Sequence, residues 1–157
     1  MPVCGRNEWK KTRRGFTIIE LMITMAIMAI LAALASLLIA GYLERAKIVR
    51  AIADIHTIQN DITSFQIAED RLPVNLSEVD WDLHLDPWGH PYQYTNFDTA
   101  PKGKWRKDKF LVPINSAFDL WSMGPDGTSV PPLTAKTSKD DIIRANDGAF
   151  IGKASLY

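Results

Sequence analysis

Two groups of residues carry side chains whose types and spacing can do chemistry. The first is Gly15, Phe16 and Glu20 in the stretch RRGFTIIELM, where Glu20 interrupts a long apolar run five residues in. A carboxylate in hydrocarbon is costly unless it is paired or protonated, and the encoded span offers no base beside it. A cut between Gly15 and Phe16 would create a new α-amino group at the end of the apolar segment. The amine of a neighbouring copy would then be a partner for Glu20; the plainer alternative is a carboxyl that snorkels to the membrane edge. The second group is His84, Asp86 and His90 in WDLHLDPWGHP. Histidine and aspartate at short spacing can hold zinc or serve a hydrolase. Pro87 and Gly89 make this segment a turn, however, and neither an HExxH pattern nor a nucleophile accompanies it. A surface turn is expected, with Trp88 and Tyr92 packed on a sheet. No catalytic residue is assigned, and the chain is read as a non-enzyme.

The elements that must position Glu20 follow from hydropathy and charge. Between Arg14 and Glu44 lie 29 residues whose only formal charge is Glu20. The uncharged stretch 21–43 would run roughly 34 Å as a helix at about 1.5 Å per residue, enough to cross a bilayer core. Five basic residues and one acid precede Gly15. Such a bias keeps the N-terminus cytoplasmic and places everything after about residue 44 on the other side. The apolar run is too long for an ordinary cleaved secretory signal and should stay in the mature protein. Without residues 1–15 the chain holds 13 basic and 17 acidic residues, a mildly acidic balance that gives no support for nucleic-acid binding. The single cysteine, Cys4, lies in the basic leader, so the exported part cannot use a disulfide.

Beyond the span, Ile48, Ile52, Ile55, Ile58, Ile62 and Phe65 recur at spacings of 4, 3, 3, 4 and 3, which is one face of a helix. Lys47, Arg50, Asp54 and Asp61 fall on its wetter side, with Arg50 and Asp54 at i, i+4. No proline occurs between residues 16 and 72. One helix from near residue 16 to about 69 is therefore expected, with Gly41 as its softest point. After Pro73 turn residues recur. A short strand is expected around Tyr92–Phe97, one or two more in FLVPINSAFDLWSM, and a last one in GAFIGKASLY. APKGKWRKDK is expected to be a solvated basic hairpin loop, with Lys102, Lys104, Arg106, Lys107 and Lys109 around Trp105. The fold class is α+β: a small antiparallel sheet on the apolar face of the helix's second half. The segments are 1–15 (leader), 16–43 (membrane span and filament core), 44–70 (amphipathic helix) and 71–157 (globular β domain).

RRGFTIIELM resembles the type III signal of the type IV pilin superfamily: a basic leader, Gly, a cleaved bond, Phe, and Glu at the fifth mature position. The resemblance covers residues 13 to about 43. It implies cleavage after Gly15 and N-methylation of Phe16 by a prepilin peptidase. It also implies a helical filament in which Glu20 meets the Phe16 amine of another subunit. Many members carry proline where this chain has Leu37.

LDPWGHPYQY, FDLWSMGPDG and KDDI resemble, in that order, the globular domain of the major pseudopilin of type II secretion systems. In that family a calcium ion ties the GxDG loop to a later acidic pair, which implies Asp126, Asp140 and Asp141 as ligands here, with the carbonyls of Met123 and Thr128. Calcium takes six to eight hard oxygens, so a loop mixing carboxylates and carbonyls suits it. Gly124 and Gly127 would permit the turns that aim those carbonyls. The thirteen residues between Asp126 and Asp140 make a loop longer than is usual in the family.

The resemblance implies an inner-membrane, single-pass precursor whose C-terminal domain is periplasmic. It would polymerise with itself into a filament that drives type II protein secretion. Its partners would be minor pseudopilins, the prepilin peptidase, and an assembly platform with its ATPase. The alternatives are a type IV pilus subunit for adhesion, motility or DNA uptake, or a membrane-anchored binding protein or enzyme.

Overall fold

A computed structural model describes residues 15–157, except for the side chains at 36–38 and 40. Of the basic leader expected at 1–15, residues 1–14, including Cys4, Arg13 and Arg14, lie outside the described residues, as does the Leu37 side chain. Two units are present, one ending at Gly41 and one running from Tyr42 to Tyr157.

Helix α1 spans Ile18–Glu69, within two residues of the expected start and at the expected end. Its start follows from Thr17, whose Oγ1 accepts the backbone N–H of Glu20 at 3.2 Å. That is the first half of the Thr-x-x-Glu capping pattern, and it places an acid in the first turn, where the helix dipole favours one. At the other end Asp70 adopts φ +52°, a left-handed residue just past the helix, and Pro73 follows. Within the first unit, Ile18–Ala35 is long and apolar enough to cross a membrane, with mean hydropathy 2.5.

In the second unit four short strands form an antiparallel meander in the order β1-β2-β3-β4: β1 Gln93–Asn96, β2 Phe118–Ser122, β3 Ile142–Ala145 and β4 Phe150–Lys153. Tyr94 pairs with Leu120, Trp121 with Ile143, and Ile143 with Gly152. Strand alternation sends Phe118, Leu120 and Ile142 to one face, where they meet Ala51, Ile55, Ile58 and Ile62 of α1 together with Leu72, Leu76 and Tyr92. Ile143 and Ala145 go to the other face, against Ile114, Leu133 and Ala154. The long loop after β2 thus contributes Leu133 to a second core rather than being a free excursion.

Two expectations change here. Strand β3 was not expected: Ile142 and Ile143 follow directly on KDD, and a four-residue strand buried on both faces has no alternation to reveal it. On α1, Asp54 and Asp61 are not simply on the wet side. Asp54 accepts from the Tyr92 hydroxyl at 2.7 Å and Asp61 from the Trp81 indole at 2.7 Å. Burial together with the Asp54 carboxylate pushes the Tyr92 phenol well above its ordinary pKa. The expected Arg50–Asp54 pair is present at 3.8 Å.

Candidate functional site

At the helix start, Gly15, Phe16 and Thr17 precede α1, and Phe16 is 76% exposed. Glu20 is exposed, and its carboxylate has no ion-pair partner among the described residues. The bond between Gly15 and Phe16 therefore lies outside the helix. Glu20 stands in the first turn of the helix, exposed. Thr17 is the residue that sequence reasoning missed, although Thr-x-x-Glu ahead of an apolar run is the signature that finds it.

In the exposed domain, the two motifs around residues 85–94 and 118–127 are fastened together. Asp86, 4% exposed, accepts from the N–H groups of Trp88 at 3.0 Å and His90 at 2.9 Å, and from the Ser122 hydroxyl at 2.6 Å. The His90 ring places Nδ1 3.1 Å from the Gly124 carbonyl, and a carbonyl only accepts, so Nδ1 carries the proton. Gly124 and Gly127 both adopt positive φ, +65° and +63°. A Cβ on Gly127 would stand 2.6 Å from His90 Nε2, and one on Gly124 would stand 2.6 Å from the Asp140 carbonyl. The expected surface turn is therefore half wrong: His84 is exposed beside Trp81, whereas Asp86 is a buried staple to β2. His84, Asp86 and His90 do not converge on a common point for a metal.

The expected calcium donors are only partly brought together. Asp126 turns its carboxylate onto its own loop, accepting from Thr128 N–H at 2.8 Å. Its N–H points at Asp140 Oδ2, 3.4 Å away. These two carboxylates face an open hollow that Lys136, Lys139 and Lys153 also line. Asp141 is elsewhere. It is fully buried, and its Oδ2 takes the Arg106 guanidinium and the Ser129 hydroxyl, the latter at 2.6 Å. Its Oδ1 is buried without a hydrogen-bond partner. No group of three or more His, Cys, Asp or Glu poised for a metal exists among the described residues. The donor set does not fit calcium as arranged, because one expected ligand is bound to an arginine and the other two share their hollow with three lysines.

Arg106 corrects another expectation. The basic segment is not uniformly solvated: Lys102, Lys104 and Lys109 are exposed, but Arg106 is 2% exposed. Phe97 stacks on Trp105 at 4.1 Å. A second buried arginine, Arg144 on β3, donates to Gln59 of α1 at 2.7 Å and lies 4.1 Å above the Phe118 ring. Between the two arginines sits Asp119, which accepts from Arg106 N–H at 2.6 Å and from the Asn115 amide at 2.8 Å. Burial pushes Asp119 and Asp141 each up to about 6, against the hydrogen bonds and arginine charges that pull them down. Burial also lowers the pKa of Arg106 and of Arg144, though from a value so high that both stay charged.

Residues 10–36 match the model of the prokaryotic N-terminal methylation motif. Core protein G of the type II secretion system of Pectobacterium carotovorum subsp. carotovorum is 26% identical, over 79% of this chain and 85% of its own length. Its Pseudomonas aeruginosa counterpart is 29% identical, over 75% and 87%. That of Escherichia coli K12 is 28% identical, over 73% and 83%. No solved structure matches the chain. The chain thus carries a prokaryotic N-terminal methylation motif and is similar, over most of its length, to core protein G of type II secretion systems.

Proposed function

We propose that this chain is the major pseudopilin of a type II secretion system, a structural subunit rather than an enzyme. The observation that carries the reading is the pairing of a methylation motif over residues 10–36 with homology to core protein G over both the helix and the exposed domain. The apolar helix and the motif accord with a membrane-anchored, single-pass protein. In this reading the N-terminus is cytoplasmic and the domain from about residue 44 periplasmic, which the basic charge of the leader supports.

A prepilin peptidase cuts after Gly15 and methylates the Phe16 amine. Subunits then leave the bilayer side by side, exchanging lipid contacts of the Ile18–Ala35 surface for contacts with neighbouring helices. Glu20 pairs with the Phe16 amine of an adjacent copy, which removes the cost of an unpaired carboxylate and fixes the axial step between subunits. Minor pseudopilins, an assembly platform and its ATPase supply initiation and work, and the growing filament moves folded clients outward.

Mass spectrometry of the N-terminus of the membrane-extracted protein tests this directly. The expected species begins at Phe16 and carries one added methyl group. An intact leader, or an unmethylated start elsewhere, overturns the processing step. Loss of secretion on deletion, without loss of surface pili, supports the secretion filament over a pilus.

A further inference from the structure

We infer that Arg106 is a built-in cation that closes the 123–141 loop, so that this chain holds the loop without a divalent ion. Arg106 Nη1 donates to the Ser129 hydroxyl at 2.5 Å and to the Val130 carbonyl at 2.7 Å, while Nη2 donates to Asp141 Oδ2. Ser129 in turn donates to that same Oδ2. A carboxylate, a hydroxyl and a backbone carbonyl are oxygens of the kind a calcium shell uses. Here a planar guanidinium takes all three, with the fixed fork that suits arginine to such a cluster.

The guanidinium is held from behind. The backbone N–H of Arg106 is bound to Asp119 and its carbonyl accepts from Ile114 N–H at 3.1 Å, while Cζ lies 4.9 Å from the centre of the Trp121 ring. The next residue extends the closure. Lys107 N–H donates to the Pro131 carbonyl at 3.0 Å, and the Lys107 carbonyl accepts from Leu133 N–H at 2.9 Å. Ser138 closes the rest, accepting from Val130 N–H at 3.0 Å and donating to its carbonyl at 2.8 Å. The middle of the loop, Ser129–Val130, is therefore joined to its far end, Asp141, through one side chain that enters from outside it.

Among the described residues a divalent ion has no comparable seat. At Asp141 it would share its carboxylate with a guanidinium. At Asp126 and Asp140 it would meet Lys136, Lys139 and Lys153.

The test is thermal melting of the full chain in detergent, followed by tryptophan fluorescence, and it does not depend on filament assembly. The wild type is expected to melt at the same temperature in calcium chloride, in magnesium chloride of equal ionic strength, and in EDTA. The double variant Asp126→Asn/Asp140→Asn is expected to melt within about 2 °C of it, as surface changes do. Arg106→Met should lower the melting temperature on the order of 15 °C, since it strands a buried carboxylate, and Arg106→Lys should lower it less. Should Arg106→Met prove unfolded, the wild-type and double-variant melts still decide. A calcium-specific rise in the wild type, a calcium response that the double variant abolishes, or an Arg106→Met protein as stable as the wild type would each overturn the inference.

Discussion

The two parts of α1 set the same side chains to opposite uses. In Ile18–Ala35 the large apolar residues point outward, with Ile18 80% and Met28 72% exposed, and no segment of the described chain covers them. In the second unit Ile55, Ile58 and Ile62 are fully buried against the sheet. The carboxylates differ in the same way. Asp54 and Asp61 each accept an aromatic donor from their own domain, whereas Glu20 finds no ionic partner among the described residues. One part is completed by its own domain; on the proposed reading, the other is completed by lipid or by further copies. The location of each missing partner therefore tells which residues report on folding and which on assembly.

The largest expected break in that contrast is Glu20→Ala. If a neighbour's amine is its partner, losing one member of a desolvated charge pair costs about 3–5 kcal/mol, more than roughly a hundredfold in the assembly equilibrium. Secreted client and pelletable filament should both collapse, while the melting temperature of the exposed domain stays put. Next comes Ile58→Ala, which should cost about 2–5 kcal/mol of folding stability in urea titrations, because the cavity opens beneath the sheet. A substitution of the same kind in the first unit, Ile27→Ala, should leave that titration unchanged. Tyr92→Phe is smaller: removing the hydroxyl that Asp54 accepts should cost about 1 kcal/mol in the same titration.

Of similar size per group is the pH response of Asp119 and Asp141. Their folded pKa values, about 6, lie above the ordinary carboxylate value, so the folded state takes up protons first as pH falls. Stability from these groups is complete below the unfolded value and is lost as pH climbs through 6. Melts at pH 5 and pH 7.5 should therefore differ by on the order of 1 kcal/mol per carboxylate in favour of pH 5. Asp119→Asn should reduce that difference.

Much of this architecture was legible in the order of residues, and what was missed has physical causes. Isoleucine spacing delimited α1, because one helix face is buried over several turns. The Trp- and Gly-rich motifs marked the β1 and β2 region, but not that Asp86 binds Ser122, a contact made across 36 residues. Strand β3 stayed hidden because burial on both faces erases alternation. Arg106 was hidden by company: surrounded by lysines, it looked solvated, and only tertiary packing distinguishes the one base that turns inward. Nor did the sequence show that Asp141, expected beside Asp126 and Asp140, hydrogen-bonds Ser129 and a guanidinium.

Thr17 has a consequence beyond starting a helix. Its cap on Glu20 lies wholly downstream of the Gly15–Phe16 bond. Hydrolysis there would leave this cap in place, with only two residues ahead of the first helical turn. The precursor and its product can thus share one rotational frame, so that every side chain from Ile18 onward keeps its azimuth through maturation. The enzyme that trims the leader would change the charge at the tip without resetting the shape behind it.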